Sequence, residues 1–291
     1  MCSIWGFARL PTFRDDQRSR ALLISRTKKL AVASSARGTD ATGIAWLRPG
    51  NTLRVWKGPV TPAQFAGQGA LWQELESDLP TFAIGHGRQA THGAPAQNVN
   101  NHPVFSLRAG IALVHNGVIS NHEQIIRDCG GKRDGQVDTE ALLRSVMHQL
   151  GTGKGGYPSA IRETVNSCYG SQAVALLTQE HPDRLYLWRA GNPLALGYDR
   201  ELGVVWFGSL GTYVHNAADV SRRVLGFFNI SEGRVVTQEP PDRTLLTITP
   251  GHEQAIREDH IPYRKYAGSA TNDYSRAEAG SYLPAHYQGG E

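Results

Sequence analysis

A chain of 291 residues with 40% hydrophobic and 19% charged content has the apolar mass for a proper core and room for one large domain or two small ones. Its net charge of +4 is scattered along the sequence, without a long basic run, which argues against nucleic acid as a partner. No stretch approaches a membrane span, the N-terminus lacks the basic n-region of a secretory signal, and the three cysteines have neither disulfide nor metal-ligand spacing; a cytoplasmic, reducing setting with no membrane, metal or other cofactor is expected.

In chain order, Cys2 to Phe7 reads as a short apolar strand starting at the terminus itself. Gln17 to Ala33 reads as an amphipathic helix with Asp16 as its N-cap, and the basic cluster Arg14 to Lys29 as that helix's solvated face. Thr42–Leu47 and Leu53–Lys57 form a hairpin around Pro49-Gly50-Asn51. Thr81–Gly87 and Ile111–Val114 are apolar runs of strand length, and each leads into a polar cluster, His86-Gly87-Arg88 and His115-Asn116-Gly117. Functional loops favour such strand ends. Helices follow at His122–Cys129 and Glu140–Leu150, the second capped by Asp138 or Thr139. A Gly-rich loop spans 151–156. Beyond it come a helix at Ser159–Ser167, strands at Gln172–Thr178, Arg184–Arg189 and Val204–Gly208, a helix at Val214–Leu225, and strands at Arg234–Thr237 and Thr244–Ile248. After Lys265 the composition turns to Gly, Ser, Ala and Tyr without periodicity, the pattern of a disordered tail or an arm on a partner. Strand blocks separated by helices fit two packed sheets with helices outside, or another α+β layering.

Cys2 carries the sharpest chemical signal. If Met1 is removed, one residue offers both a thiol and a free α-amine. The reference pKa values, about 8.5 for the thiol and about 7.7–8.0 for the amine, let the amine act as base for its own thiol. Taken alone, Cys2 reads more simply as a small apolar residue at a strand start. Four further segments change the balance: Arg37-Gly-Thr-Asp-Ala-Thr-Gly43, Gly85-His-Gly-Arg-Gln-Ala-Thr-His-Gly93, Asn101-His-Pro103 and Val114-His-Asn-Gly117, with Asp138-Thr-Glu140 beyond. Together with Met-Cys at the start, and with Gly191-Asn-Pro-Leu-Ala-Leu-Gly197 and Ser231-Glu-Gly233 later, they resemble the class II glutamine amidotransferases, whose glutaminase domain is an N-terminal-nucleophile hydrolase. The likeness is to the glutaminase half of the glucosamine-6-phosphate synthase type.

The resemblance implies a four-layer α/β/β/α sandwich over residues 2–250, with 251–291 as a partly disordered C-terminal extension. It implies hydrolysis of glutamine to glutamate and ammonia through a Cys2 thioester. Asn116 and Gly117 would supply the oxyanion site, Arg88 the grip on the α-carboxylate, Thr91 and His92 further hydrogen bonds, and Asp138 the partner of the ammonium. Arg37 and Asp40 would shape the site from behind as a buried pair. Each position also has a plainer reading: Arg88 as a structural ion pair, Asn116-Gly117 as a type I′ hairpin turn, Asp138 as an N-cap and nothing more. The histidines His86, His92, His102, His115 and His122 match no common zinc spacing. Gln89 departs from the family, whose sugar-phosphate-aminating members carry Trp there as part of the site's cover. No stretch resembling an isomerase or phosphoribosyltransferase half follows, so the expectation is a stand-alone glutaminase domain delivering ammonia to a separate synthase subunit. Two other readings stay open: an amidohydrolase cleaving a γ-glutamyl amide of a larger metabolite, and a non-catalytic glutamine-binding module.

Overall fold

The computed structural model describes residues 2–90, 93–130, 132–218, 238–252 and 254–263. Within them the chain runs β1 (Ser3–Arg9), α1 (Gln17–Ala33), β2 (Ala41–Leu47), β3 (Leu53–Gly58), α2 (Pro62–Ala66), α3 (Gly69–Asp78), β4 (Phe82–Arg88), β5 (Val104–Ser106) and β6 (Ile111–Ile119). It continues through α4 (His122–Cys129), α5 (Thr139–Gly151), α6 (Tyr157–Ser167), β7 (Gly170–Thr178), β8 (Leu185–Ala190), β9 (Ala195–Asp199), β10 (Val204–Gly208), α7 (Gly211–Ala218), β11 (Thr244–Ile248) and β12 (Ile256–His260). The expected segments Thr91, His92, Ser231–Gly233, Arg234–Thr237, residues 219–225 of the expected helix and the tail beyond Lys265 lie outside the described residues.

Two six-stranded sheets form, in the orders β3-β2-β4-β1-β10-β9 and β12-β11-β8-β7-β6-β5. The residue pattern of β1 explains why they stack. Alternate side chains of a strand face opposite sides: Ile4 and Ala8 join the layer between the sheets, while Trp5 and Phe7 join the layer under the helices. Trp5 packs its ring 6.0 Å from Phe65 of α2, which in turn meets Trp72 of α3 edge-on at 5.0 Å. Leu23 and Leu30 of α1 and Val214 of α7 complete that layer. On the other sheet Leu113, Val174, Leu176 and Trp188 pack against Leu142 and Val146 of α5 and Ile161 and Val165 of α6. Between the sheets lie Ile84, Ala112, Val114, Ala173, Leu187 and Leu246. Fully burying each large apolar side chain stabilises the fold by about 1.5–3 kcal/mol. Three apolar layers between four layers of structure give the expected α/β/β/α sandwich.

Several local expectations change. The apolar run from Ile111 does not stop at Val114. β6 continues to Ile119, with Asn116 opposite Ala173 and Gly117 opposite Gln172 on β7, so Asn116-Gly117 is mid-strand and not a hairpin turn. Asp138 occupies the N-cap position of α5, but its side chain makes no capping bond. Arg26 is not part of a solvated helix face. It is buried, ion-paired with Asp199 of β9, and bonded through Nη2 to Glu201 at 2.7 Å. β12 extends the second sheet past residue 250.

Candidate active site

Strands from both sheets, β1 and β4 of the first and β6 of the second, carry the sequence-marked residues. In the first sheet the β1–β4 register pairs Ser3 with Gly87, which sets Cys2 opposite Arg88, the last residue of β4. Cys2 is half-buried, and its Sγ–H donates weakly to the carbonyl of Gln89 at 3.5 Å. Burial pushes the thiol's pKa up; the positive charge of Arg88 pulls against this and the negative charge of Asp138 adds to it. Arg88 is 3% exposed. Its guanidinium donates to Asn101 Oδ1 at 2.9 Å and to the Gly93 carbonyl at 2.8 Å. Burial lowers its pKa, and the charges of Cys2, Asp40 and Asp138 offset that. Asp40 braces the turn after β4: its carboxylate accepts the Ala90 N–H at 2.7 Å and Gln89 Nε2 at 3.1 Å, and its own N–H donates to the Arg88 carbonyl at 2.9 Å. Arg37, half-buried, closes the short 3-10 turn that precedes Asp40.

The second sheet contributes from the middle of β6. Asn116 is buried, its Nδ2 donates to Ser209 Oγ at 3.4 Å, and its carbonyl accepts from Asn192 Nδ2 at 2.8 Å. Gly117 sits in a cradle that admits no side chain. A Cβ there would lie 2.0 Å from the Ser171 carbonyl oxygen and 2.6 Å from His115 Nε2, at a φ of +153°. Asp138, half-buried, accepts the Ile119 N–H through Oδ2 at 2.7 Å. Its carboxylate is therefore tied to the end of β6 and lies close enough to Cys2 and Arg88 to act on both.

Behind these groups the two sheets are joined by histidines. His86 of β4 bonds through Nε2 to the His115 carbonyl at 3.0 Å and stacks on His102, the ring centroids 4.0 Å apart. His102 Nε2 and His115 Nδ1 both meet Thr139 Oγ1, at 2.7 and 3.0 Å. Burial dominates all three rings: it lowers the pKa of His86 to about 3, that of His102 well below the usual range, and that of His115 against the opposing charge of Asp138. They form a buried, neutral clamp. Among the described residues no three His, Cys, Asp or Glu side chains are grouped to hold a metal ion, and His122 is occupied with the Ile119 carbonyl at 2.8 Å. Burial raises the pKa of Cys168, to about 12, and that of the half-buried Cys129, as expected of packing thiols.

An open cleft of about 640 Å³ lies elsewhere, between Val99, Phe105, Leu107, Arg108 and Met147. It shares no residue with Cys2, Arg88, Asn116 or Asp138, so this hollow does not coincide with the polar cluster. Ser209 and Asn192 are the residues that sequence reasoning did not assign. Asn192 lies within one of the motif segments. Ser209 follows an apolar strand with no local signal, and its partners are 93 and 205 residues away in the chain.

A cysteine at the head of a central strand in a two-sheet sandwich with helices on both outer faces defines the N-terminal-nucleophile hydrolase architecture. Solved structures share it. The chain matches the Bacillus subtilis glutamine phosphoribosylpyrophosphate amidotransferase, complexed with ADP and GMP, with a TM-score of 0.65 over 90% of this chain and 50% of that one. At 18% identity that likeness speaks for the fold alone. A family model described as a glutamine amidotransferase domain matches residues 92–216. The chain is 32% identical over 211 residues to the glutamine–fructose-6-phosphate aminotransferase (isomerizing) of Bacillus thuringiensis subsp. konkukian, covering 70% of this chain and 32% of the relative. The same enzyme of Bacteroides thetaiotaomicron is 30% identical over 203 residues, covering 68% and 30%. The chain carries a glutamine amidotransferase domain homologous to that of these enzymes. It spans about a third of the length of the curated relatives it matches.

Proposed function

We propose that the protein hydrolyses the side-chain amide of glutamine with Cys2 as nucleophile. The observations that carry this reading are the register that sets Cys2 opposite Arg88 and the Ser209 hydroxyl that joins the strand beginning after Cys2 to Asn116 of the facing sheet. Because burial raises the Cys2 thiol's pKa, the sulfur needs a base close by. After loss of Met1, the α-amine of Cys2 itself is that base. The amine takes the Sγ proton and the thiolate attacks the amide carbon of glutamine. The tetrahedral oxyanion is held by Asn116 Nδ2 and the Gly117 N–H. Collapse breaks the C–N bond, the departing nitrogen takes the proton from the ammonium, and ammonia leaves a γ-glutamyl thioester. The same amine then activates water to release glutamate and the free thiol.

Arg88 matches the α-carboxylate in charge and fork geometry, and Asp138 matches the α-ammonium. Thr91 and His92 add hydrogen bonds, while Arg37 and Asp40 support the turn from behind. This glutaminase domain, which reaches beyond residue 250 to include β12, works in the cytoplasm, passing ammonia to a separate synthase subunit. That subunit docks near the Cys2 site, with the 151–156 loop and the tail beyond Lys265 as its contacts. A second reading, cleavage of a γ-glutamyl amide of a larger metabolite, is favoured by Gln89: it is exposed and its amide is turned to Asp40.

The test combines intact-mass analysis, glutamine turnover and labelling with a glutamine-shaped diazoketone. The expected result is activity only in Met1-free protein, with the label on Cys2 alone. Full activity with Met1 retained, or a label on Cys168, overturns the mechanism. A rate that rises when native host extract is added supports the synthase partner, and rapid turnover with no such gain contradicts it. Faster cleavage of larger γ-glutamyl amides than of glutamine selects the second reading.

A further inference from the structure

We propose that Ser209 is a positioning residue that fixes the oxyanion donor Asn116 relative to the nucleophile's own strand. The proposal rests on the glutaminase reading above. Ser209 directly follows β10 and is fully buried. It grips a single residue of β1 twice: its N–H donates to the Ile4 carbonyl at 3.0 Å, and its Oγ accepts the Ile4 N–H at 2.9 Å. Ile4 lies two residues beyond Cys2. The same Oγ accepts from Asn116 Nδ2 at 3.4 Å, so one oxygen atom joins the strand that starts at the nucleophile to the oxyanion donor on the facing sheet.

The geometry makes the link directional. The backbone of Asn116 is already fixed by the β6–β7 ladder and by Asn192 on its carbonyl, which leaves the side-chain torsions as the remaining freedom. An amide nitrogen carries two hydrogens. Engaging one of them with Ser209 sets the plane of the amide and leaves the other for the oxyanion. Without this bond Asn116 keeps its donor but not its aim, and a loss of aim is felt where charge develops, in kcat, rather than in ground-state binding.

The experiment measures kcat, KM and thermal midpoint for Ser209→Ala, Ser209→Cys, Asn116→Ala and the double variants. Ser209→Cys keeps the volume with a poor acceptor, and carries the test if the alanine variant does not fold. The expected result is a kcat roughly tenfold lower for either Ser209 variant, the scale of one lost neutral hydrogen bond, with KM changed less than about twofold. In the Asn116→Ala background the Ser209 substitution should add almost nothing, because residues acting through one another are non-additive. Multiplying effects in the double variant, or an unchanged kcat in Ser209→Cys beside a crippled Asn116→Ala, overturn the role of Ser209 and leave the glutaminase reading standing. An unaffected Asn116→Ala overturns that reading itself.

Discussion

The two strands that meet at the site are held in different ways. β1 reaches the site with its end: Cys2 precedes the first paired residue, is half-buried, and is followed across the sheet by the exposed Gln89 and by Arg88, whose partners Asn101 and Gly93 belong to the 93–101 loop. β6 reaches it with its middle, inside a nine-residue pairing with β7, the buried side chain of Asn116 bonded to Ser209 and its carbonyl to Asn192. The difference is chemically sensible. Groups that stabilise developing charge must be set before the reaction, whereas the side that admits substrate needs a strand end and a loop.

Four experiments break or sharpen this contrast. The largest effect belongs to the strand end: Cys2→Ala should remove glutamine hydrolysis entirely, a loss of roughly 10⁴ or more, with an unchanged circular dichroism spectrum. Turnover close to that of the native protein would deny Cys2 its role. Next comes the mid-strand donor. Asn116→Ala should lower kcat by roughly 10²–10³, and Asn116→Asp should lower it further by placing negative charge beside the oxyanion. A rise in KM with kcat intact would instead move Asn116 to the binding side.

Smaller and of another kind are the charged groups. Arg88→Ala and Asp138→Asn should raise KM by about 10–100-fold, the worth of one charge-assisted hydrogen bond, with a lesser change in kcat. Equal hydrolysis of simple amides lacking both head groups by the native protein would contradict both assignments. The last effect is on stability, not turnover, and concerns the clamp behind the site. The buried rings of His86, His102 and His115 resist protonation, His86 down to about 3, while in the unfolded chain they accept a proton near pH 6.5. The unfolded state therefore binds more protons below that value, and stability falls as the pH drops from about 6.5 toward 3. The slope is on the order of 1 kcal/mol per pH unit for each ring that stays neutral. Glu74, whose pKa its hydrogen bond from Arg54 brings down to about 2, is stabilising above pH 4.5 and adds its own loss only below that. A thermal midpoint that is flat between pH 6.5 and 5 would mean that the rings are hydrated or charged in the fold.

Much of the architecture was legible where local signals were strong. α1 spans the expected Gln17–Ala33, and Asp16 caps it by accepting the Ser19 N–H at 2.8 Å. β10 and β11 fall where the apolar runs stand. The α2–α3 pair was passed over although its signals were present: Thr61 and Gln64 form a reciprocal capping box with Pro62 at the first helical position, and Leu71, Trp72 and Leu75 keep helical spacing. β5, β9 and β12 were missed for a different reason. They are edge strands of three to five residues, and so short a run carries little alternation. At the site, the polar clusters after the apolar runs marked Arg88 and Asn116 in advance. The reading of Asn116-Gly117 as a turn failed because the dipeptide's turn preference yields to sheet pairing on β7. Ser209 could not be seen, since everything that distinguishes it is a contact made across the sandwich.

The alternation along β1 has one more consequence. A slip of β1 by one residue against β4 and β10 would drive Trp5 and Phe7 into the narrow space between the sheets and turn Ile4 and Ala8 toward the helices, which the packing on both faces forbids. The reactive sulfur thus has its address written in bulk and not in polarity. Two aromatic rings and two aliphatic side chains measure off the distance to the chain's first cysteine, so a repacking substitution at Trp5 would move Cys2, the proposed nucleophile, as surely as a change at the site.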